Sequence, residues 1–356
     1  MNRCVGPCSL LLLAALAALL VAIQPSLVNA QIKGVHAQNA HSQQHNPPSR
    51  PQETANAKPK EVMNAWTVGL AGGLLEGAPI RLAAEMARVV DDGDNLHVLP
   101  VVTRGPTENV NSLLYLRGID TAIINSDSLD EYKSVVRDIQ GKVTYVLNLF
   151  PSELHVFVRP EIQSLNDLVG KKVNFNTLGT AAAYSGPLIF SRLGLDVEQT
   201  FIPHQVALEQ MRKGEGGMAA VVFITSKPVD AFVRGRFEPG FKFLSVPYNS
   251  KMGDYYLPTT LDATDYPNLI KPGERVETIA VPTALVAFNW PTTSNRYDRV
   301  ARFVDHLFSR IDKLQGPGFD PKWKSINLAA TVPGLARFPA VQAWLDSHPR
   351  GSQASQ

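Results

Sequence analysis

The sequence has few cysteines, no excess of charge of one sign, and only one long apolar run. Both cysteines, Cys4 and Cys8, lie within the first eight residues of the 356. The rest of the chain therefore has neither a disulfide framework nor a cysteine nucleophile. Lys and Arg number 34 against 32 Asp and Glu, a formal charge of +2. This balance lacks the basic excess of nucleic-acid-binding proteins, so we expect no nucleic-acid partner.

Motifs of the common enzyme classes are also missing. The sequence contains no Walker phosphate loop, no nucleophile elbow and no metalloprotease helix. Glu76, Glu108 and Asp127 are carboxylates near predicted strand ends, but no histidine neighbours them in the sequence to complete an acid–base pair. We therefore predict a protein that is not an enzyme and needs no metal or cofactor.

The single long apolar run lies at the N-terminus and is typical of a secretory signal. Arg3 precedes the run Leu10–Ile23, and small residues at 28–30 follow it. We predict cleavage after Ala30 and export to the periplasm. The alternative is a membrane span, but the run is shorter than the ~20 residues that cross a bilayer. No cysteine follows the apolar core, so no lipid anchor is expected.

Residues 31–61 form a segment of different composition. They are rich in Gln, Asn, Pro and Ala and nearly free of large apolar side chains, which predicts a disordered linker. Its histidines, His36, His41 and His45, could capture a metal; a solvated tether is the simpler interpretation because such a segment fixes no ligand geometry. A short disordered tail is expected at 348–356.

From residue 62 onward, short apolar strands alternate with amphipathic helices. The first unit is a strand at Ala65–Leu70, a glycine turn, and a helix at Ala78–Val90. This alternation predicts an α/β fold with parallel sheets and helices on both faces. We expect a first lobe made of 62–152 and 246–347, into which a second lobe, 153–245, is inserted. Strands flanking Pro151 and the return near Ser245–Pro247 would supply the hinge.

Four polar loops follow predicted strands. Open α/β sheets bind ligands at the carboxyl ends of their strands, where N–H groups at helix starts favour an anion. These loops are Ala71–Glu76, Thr103–Asn109, Asn125–Asp127 and Thr177–Ala181.

Two positions in these loops suggest how an anion would be held. Thr180 as a helix N-cap, with Gly179 before it, could present the backbone of Ala181 and Ala182 to a carboxylate. The alternative is an ordinary capped turn. Arg104 could form a bidentate pair with a carboxylate, or be a solvated surface arginine. His155 is interpreted as a core residue; His204 could reach the cleft, or be a residue of a helix-leading loop, which is the simpler interpretation.

The order of four blocks resembles one known family, the TAXI-type solute-binding subunits of tripartite ATP-independent periplasmic (TRAP) transporters. The blocks are "VGLAGG", "TRGPTENVNSLLYLRGIDTAIINSD", "LHVFVRPEIQSLNDLVGKKVNFNTLGTAAAYSG" and "VALEQMRKGEGGMAAVVF". The resemblance covers about Trp66 to Leu345. One departure is Leu74-Leu75-Glu76, where the family usually has Thr-Tyr-Tyr. Hydroxyl donors are replaced there by apolar side chains and one carboxylate, so there are two alternatives: a more apolar ligand, or a protein that has left transport.

The resemblance implies a type II periplasmic binding protein, with two α/β lobes, a central cleft and a hinge. Such proteins close on a small organic anion and deliver it to a membrane permease; we also expect a monomer. A periplasmic sensor that takes no part in transport is the alternative. The residues that the resemblance places at the ligand are Gly72, Gly73, Leu74, Thr103, Arg104, Asn109, Ser126, Asp127, Thr177, Gly179, Thr180, Ala181 and Phe223.

Overall fold

A computed structural model describes residues 64–349 except Glu76. The predicted signal peptide at 1–30, the linker at 31–61 and residues 350–356 of the predicted tail lie outside the described residues. Of the described helices, none combines the length and apolar character that crossing a membrane requires.

Ten strands and nine α-helices make up the described chain. The strands are β1 Thr67–Ala71, β2 His97–Val101, β3 Thr121–Asn125, β4 Val143–Val158, β5 Lys172–Asn174, β6 Glu198–Thr200, β7 Met218–Thr225, β8 Lys242–Leu244, β9 Leu257–Asp262 and β10 Arg275–Phe288. The helices are α1 Ala78–Val90, α2 Pro106–Tyr115, α3 Ile139–Lys142, α4 Ala181–Leu193, α5 His204–Lys213, α6 Asp230–Val233, α7 Asn295–Ser309, α8 Ile311–Leu314 and α9 Pro339–Ser347. Short 3-10 helices cover Gly93–Asn95, Ser126–Tyr132, Leu165–Leu168, Ser250–Tyr255 and Pro321–Ser325.

The first lobe is built on the strand order β2-β1-β3-β10-β4. Strands β2 and β3 lie parallel to β1, whereas β10 runs antiparallel between β3 and β4. Helix α1 buries Leu82, Met86 and Val90, one side chain per turn, against the same core as α7. Helix α2 buries Val110 and Leu113 in a second cluster with side chains of β3. Helices thus cover both faces of this sheet, as the alternating pattern predicted.

The second lobe repeats this plan around a smaller set of strands. Strand β5 pairs in parallel with β6 and β7, and the end of β4 runs antiparallel to β7 and β8. Helix α4 buries Ile189 and Phe190 in one core cluster, and α5 buries Ala207 and Met211 in another. Each face of the second lobe is therefore closed by its own helix.

Two long strands connect the lobes. Strand β4 has 16 residues and β10 has 14. Pro151 lies opposite Pro282 where they pair. The segments flanking Pro151 form one continuous strand. Proline lacks an N–H donor, so these two prolines withhold two donors from the same point of the ladder, where the strands pass from one lobe to the other.

The expected return to the first lobe near Ser245–Pro247, and hence a second-lobe boundary at 245, is wrong. Val246 is buried in the second-lobe core, and its N–H donates to the carbonyl of Glu277 at 2.8 Å. Strand β9 then pairs with the first half of β10, so this part of the chain still packs with the second lobe. The chain returns inside β10. The predicted fold class, two α/β lobes with a cleft and a hinge, is confirmed.

Candidate functional site

A cleft of about 1220 Å³ lies between the two lobes. Loops of the first lobe form one wall, loops of the second lobe form the other, and the crossing strands contribute the floor. Eight of the thirteen predicted ligand residues line it: Gly72, Gly73, Leu74, Arg104, Thr177, Thr180, Ala181 and Phe223. The other five, Thr103, Asn109, Ser126, Asp127 and Gly179, lie behind this surface, where they hold loops or join the lobes.

Four helices begin at the cleft, two from each lobe. The lining includes the starts of α1 and α2 in the first lobe, at 77–79 and 105–106, and of α4 and α5 in the second, at 180–182 and 203–205. The first N–H groups of a helix have no partner within it and carry the positive end of the helix dipole. Pro79 and Pro106 lack an N–H, so the donors at the starts of α1 and α2 come from neighbouring residues; together the four helix starts bring positive partial charge to the cleft.

The loop before α4 shows how one of these helix starts is held. The Thr180 hydroxyl donates to the carbonyl of Thr177 at 2.8 Å and accepts from the N–H of Ala183 at 3.3 Å. The predicted N-cap is therefore confirmed. Thr180 thus satisfies the third N–H of the helix, whereas Ala181 and Ala182, which carry the first two N–H groups, line the cleft.

The two lobes touch at a pair of glycines beside this loop. Gly105 has φ 140° and Gly179 has φ 92°, both conformations that favour glycine. A Cβ on Gly105 would lie 2.8 Å from the carbonyl oxygen of Gly179, and a Cβ on Gly179 would lie 2.9 Å from the Cβ of Arg104. The loops before α2 and α4 thus pack backbone against backbone, and the cleft is closed at this edge.

Arg104 lies at the rim of the cleft, where its side chain is 74% exposed. Its Nε is 3.9 Å from Glu108 Oε2, and its own backbone N–H donates to the same oxygen at 2.7 Å. An exposed ion pair of this length contributes little to stability. The guanidinium is therefore available to a ligand at the cost of a weak contact.

Asn109 has a structural position behind the cleft. Its side chain is fully buried, and its Nδ2 donates to the carbonyls of Gly72 at 2.8 Å and Ile123 at 2.6 Å. The hydroxyl of Thr103 donates in turn to Asn109 Oδ1 at 2.5 Å. The amide thereby ties the ends of β1 and β3 to the start of α2, which fixes where the Gly72 loop meets the cleft.

Asp127 lies buried at the contact between the lobes rather than at the cleft surface. Its Oδ2 accepts a hydrogen bond from the hydroxyl of Tyr256, a residue of the second-lobe core, at 2.8 Å. Burial raises the pKa of the Asp127 carboxyl, and the nearby hydroxyls of Ser185 and Tyr256 partly oppose that rise. Its neighbour Ser126 is buried as well.

The floor of the cleft contains polar side chains, of which the sequence analysis identified Asn125, in one of the four loops, but not Ser152 or Thr283. Asn125, Ser152 and Thr283 line it. The hydroxyls of Ser152 and Thr283 are 2.8 Å apart, and Asn125 Nδ2 donates to Thr283 Oγ1 at 3.4 Å. The signal that could have identified Ser152 and Thr283 is a hydroxyl residue directly after a proline in each of the two long strands, at Pro151-Ser152 and Pro282-Thr283.

Desolvation keeps the side chains of His155 and His204 uncharged at neutral pH. His155 is fully buried, as predicted for a core residue, and its Nε2 is 2.7 Å from the Tyr266 hydroxyl. His204 begins α5 and lines the cleft, with its ring stacked on Phe223 at a centroid distance of 3.5 Å. Burial lowers the pKa of His204 to about 4 and that of His155 to about 3. Each therefore acts at neutral pH as a flat, neutral ring.

Among the described residues, no group of three or more His, Cys, Asp or Glu side chains is arranged to hold a metal ion.

No family model matches the sequence, and no curated protein matches it. Several solved structures are similar in fold. A protein from Bordetella bronchiseptica RB50 has a TM-score of 0.46 at 14% identity, over 82% of this chain and 81% of that one. A mutant of ArgBP from T. maritima has a TM-score of 0.43 at 14% identity, over 72% and 94%. The periplasmic aliphatic sulphonate binding protein SsuA from Escherichia coli has a TM-score of 0.39 at 14% identity, over 79% and 78%.

Proposed function

We propose that this protein is a periplasmic solute-binding protein that captures a small organic anion, a carboxylate, between its two lobes. The observation that carries the proposal is the convergence of four helix starts on one cleft, two from each lobe. An anion placed there receives backbone N–H groups from both lobes, so it favours the closed arrangement over the open one.

The charged side chains of the cleft support this assignment because most of them are already matched. Arg81 Nη2 is 2.9 Å from Asp320 Oδ2, and Lys322 Nζ is 3.8 Å from the other oxygen of the same carboxylate. Arg104 has only its weak contact with Glu108. The potential that a ligand meets is therefore set mainly by helix starts, with Arg104 as an added cation at the rim.

The way the lobes are joined fits a protein that opens and closes. Apart from the linking strands β4 and β10, the lobes meet at local contacts, such as the Gly105–Gly179 approach and the hydrogen bond between Asp127 and Tyr256. Movement about the paired Pro151 and Pro282 would open that edge and expose the cleft. Delivery of the ligand to a TRAP-type permease rests on the sequence resemblance, and the absence of catalysis rests on the missing enzyme motifs; action as a monomer is part of the same proposal.

A thermal-shift screen of the purified protein against amino acids, keto acids, dicarboxylates and aromatic acids tests the proposal. At a hundredfold excess over its dissociation constant, a ligand stabilises the folded protein by about 2.7 kcal/mol. We expect stabilisation by carboxylates and none by their amides. Stabilisation by the amides alone would contradict an anion site.

A charge placed at a helix start identifies where the anion lies. Ala181→Glu puts a carboxylate at the first position of α4, inside the cleft. Asn295→Glu makes the corresponding change at the first position of α7, which does not line the cleft. Both changes suit the helix dipole, so both proteins should fold. Only Ala181→Glu should abolish carboxylate binding; equal affinity in the two variants would place the anion elsewhere.

A further inference from the structure

We propose that the ligand is an elongated carboxylate whose apolar body, an alkyl chain or an aryl group, lies in a second-lobe arm of the cleft. This inference rests on the proposed function and names the class of solute. The second-lobe arm is the part of the cleft between α5 and residues 226–238. The head of the solute would lie at the converging helix starts, and its body would extend into this arm.

The size of the cleft is the first argument. Small-molecule sites usually enclose about 300 to 1,000 Å³, and this cleft has about 1220 Å³. A solute as small as an amino acid or a short keto acid would fill only the region between the helix starts. The rest of the cleft would hold water against its walls unless the solute extended beyond its charged head.

The walls of the second-lobe arm carry apolar and aromatic side chains between charged residues. Leu208 and Phe223 line it from α5 and β7, and Val229 and Phe237 line the opposite side. The neutral ring of His204 stacks on Phe223 and continues the flat surface toward the start of α5. Walls of this composition favour an apolar body, since burying each methylene is worth about 0.8 kcal/mol.

These walls are held in place from behind. Phe237 packs against Phe157 with ring centroids 4.6 Å apart, and Phe223 packs against Phe232 at 4.9 Å. Phe157 and Phe232 are fully buried members of the second-lobe core. The arm is therefore formed by side chains fixed before a solute enters, which lowers the entropic cost of binding.

The charges around the arm argue against a second ionic group on the solute. Lys213 pairs with Glu209 at 2.8 Å, and Arg212 lies 4.0 Å from Glu238. The remaining carboxylate of the lining, Asp230, is 3.5 Å from Arg234. Three carboxylates thus line this region against two cations, and each of the two cations lies beside one of these carboxylates, so a second carboxylate on the solute would meet a net negative wall, whereas an uncharged body displaces only water.

The experiment is a calorimetric titration of the purified protein with unbranched monocarboxylates from propionate to octanoate, followed by phenylacetate and 4-phenylbutyrate. We expect the dissociation constant to fall about fourfold per added methylene, the equivalent of 0.8 kcal/mol, and to level off once the arm is filled. If propionate binds and the longer acids bind no tighter, the arm is not a binding site although the anion site stands. If no acid of either kind binds, this inference fails, and the thermal-shift screen with amino acids, keto acids and dicarboxylates decides separately whether the anion site stands.

Two variants test whether long acids bind in the arm or are attracted to apolar surface anywhere on the protein. Ala231→Phe fills the arm, whereas Ala343→Phe adds the same ring on the exposed face of α9. Ala231→Phe should remove the gain in affinity with chain length, and Ala343→Phe should keep that gain. Should Ala231→Phe fail to fold, Val229→Asn makes the wall polar without added volume and should weaken only the long acids. Equal chain-length dependence in all these proteins would overturn the proposal.

Discussion

The carboxylate of Asp127 accepts a hydrogen bond from the hydroxyl of Tyr256 across the contact between the lobes, at 2.8 Å. Asp127 follows β3 in the first lobe, and Tyr256 precedes β9 and packs in the second-lobe core. Both side chains are buried, Asp127 completely. Separation of the lobes would break this bond and return both groups to water, so the bond contributes to the closed arrangement.

Tyr256→Phe removes this hydroxyl and leaves the buried carboxyl of Asp127 without its partner. Loss of such a bond costs about 1 to 3 kcal/mol. We expect the closed state of the ligand-free protein to lose population, visible as a larger radius of gyration by small-angle X-ray scattering. Tyr248→Phe is the control, because Tyr248 is an exposed tyrosine. An unchanged radius in Tyr256→Phe would mean that the bond does not favour closure.

The contact between Gly105 and Gly179 allows a similar test. Gly179→Ala adds a methyl group that meets Arg104 across the lobes, at a backbone angle of φ 92°. Gly118→Ala imposes comparable backbone strain, with φ 89°, but its added methyl has nothing within 4 Å. Both variants should lose stability through strain. Only Gly179→Ala should also weaken ligand binding, measured by calorimetry, because it holds the lobes apart.

Equal ligand affinity in the two alanine variants would contradict this prediction. It would show that the solute binds without the Gly105–Gly179 approach, and that the contact at this edge is a consequence of packing rather than a requirement for closure.

The parts of the fold that follow from local periodicity could be predicted from the sequence. The strand at β1, the helix at 78–90 and the Thr180 cap depend on residues within a few positions of one another, and the structure contains all three. Local periodicity could not show that the second crossing strand, β10, passes from one lobe to the other. Nothing near Val246 shows that its N–H will bond to Glu277, 31 positions along the chain, or that β9 will pair with β10.

The residues of the candidate site show the same difference between local and long-range signals. Loops after strands identified Gly72, Arg104 and Thr180, since parallel strands bring their carboxyl ends together. The roles of Asn109 and Asp127 depend on what lies behind those loops, a backbone carbonyl in one case and a tyrosine 129 positions away in the other. A polar side chain in a loop looks the same in a sequence whether it faces a ligand or a neighbouring strand.

Asn109→Ala should act on the site through the loop that this side chain holds. The change leaves the carbonyls of Gly72 and Ile123 without an amide donor in a buried position, at a cost of about 1 to 3 kcal/mol. Urea unfolding should show this loss, and ligand affinity should fall because the Gly72 loop shifts. Asn111→Ala, at an exposed position of the same helix, is the control. Equal unfolding free energies in the two variants would contradict the role assigned to Asn109.

Glu153 gives the crossing strand β4 a dependence on pH. Its carboxylate accepts the backbone N–H of Lys227 at 2.9 Å, and burial raises its pKa from 4.5 to about 7. A carboxyl whose pKa is higher in the folded state stabilises the fold while protonated. Its contribution is complete below about pH 4.5 and is lost as the pH rises through about 7.

Glu153→Gln replaces the ionisable group by a neutral one of the same shape and should remove this loss. Between pH 5 and pH 8 the unfolding free energy of the unchanged protein should fall by about 2 to 3 kcal/mol relative to the variant. The buried His155 and His204 destabilise the fold as the pH falls below 6.5, but they are present in both proteins and cancel in the difference. Glu277→Gln, at an exposed position of β10, should leave the pH dependence unchanged.

A constant difference between Glu153→Gln and the unchanged protein across this range would mean that Glu153 is already ionised in the folded state at pH 5. In that case the N–H of Lys227 and the nearby ammonium of Lys227, which favours the ionised form, would outweigh the cost of burial.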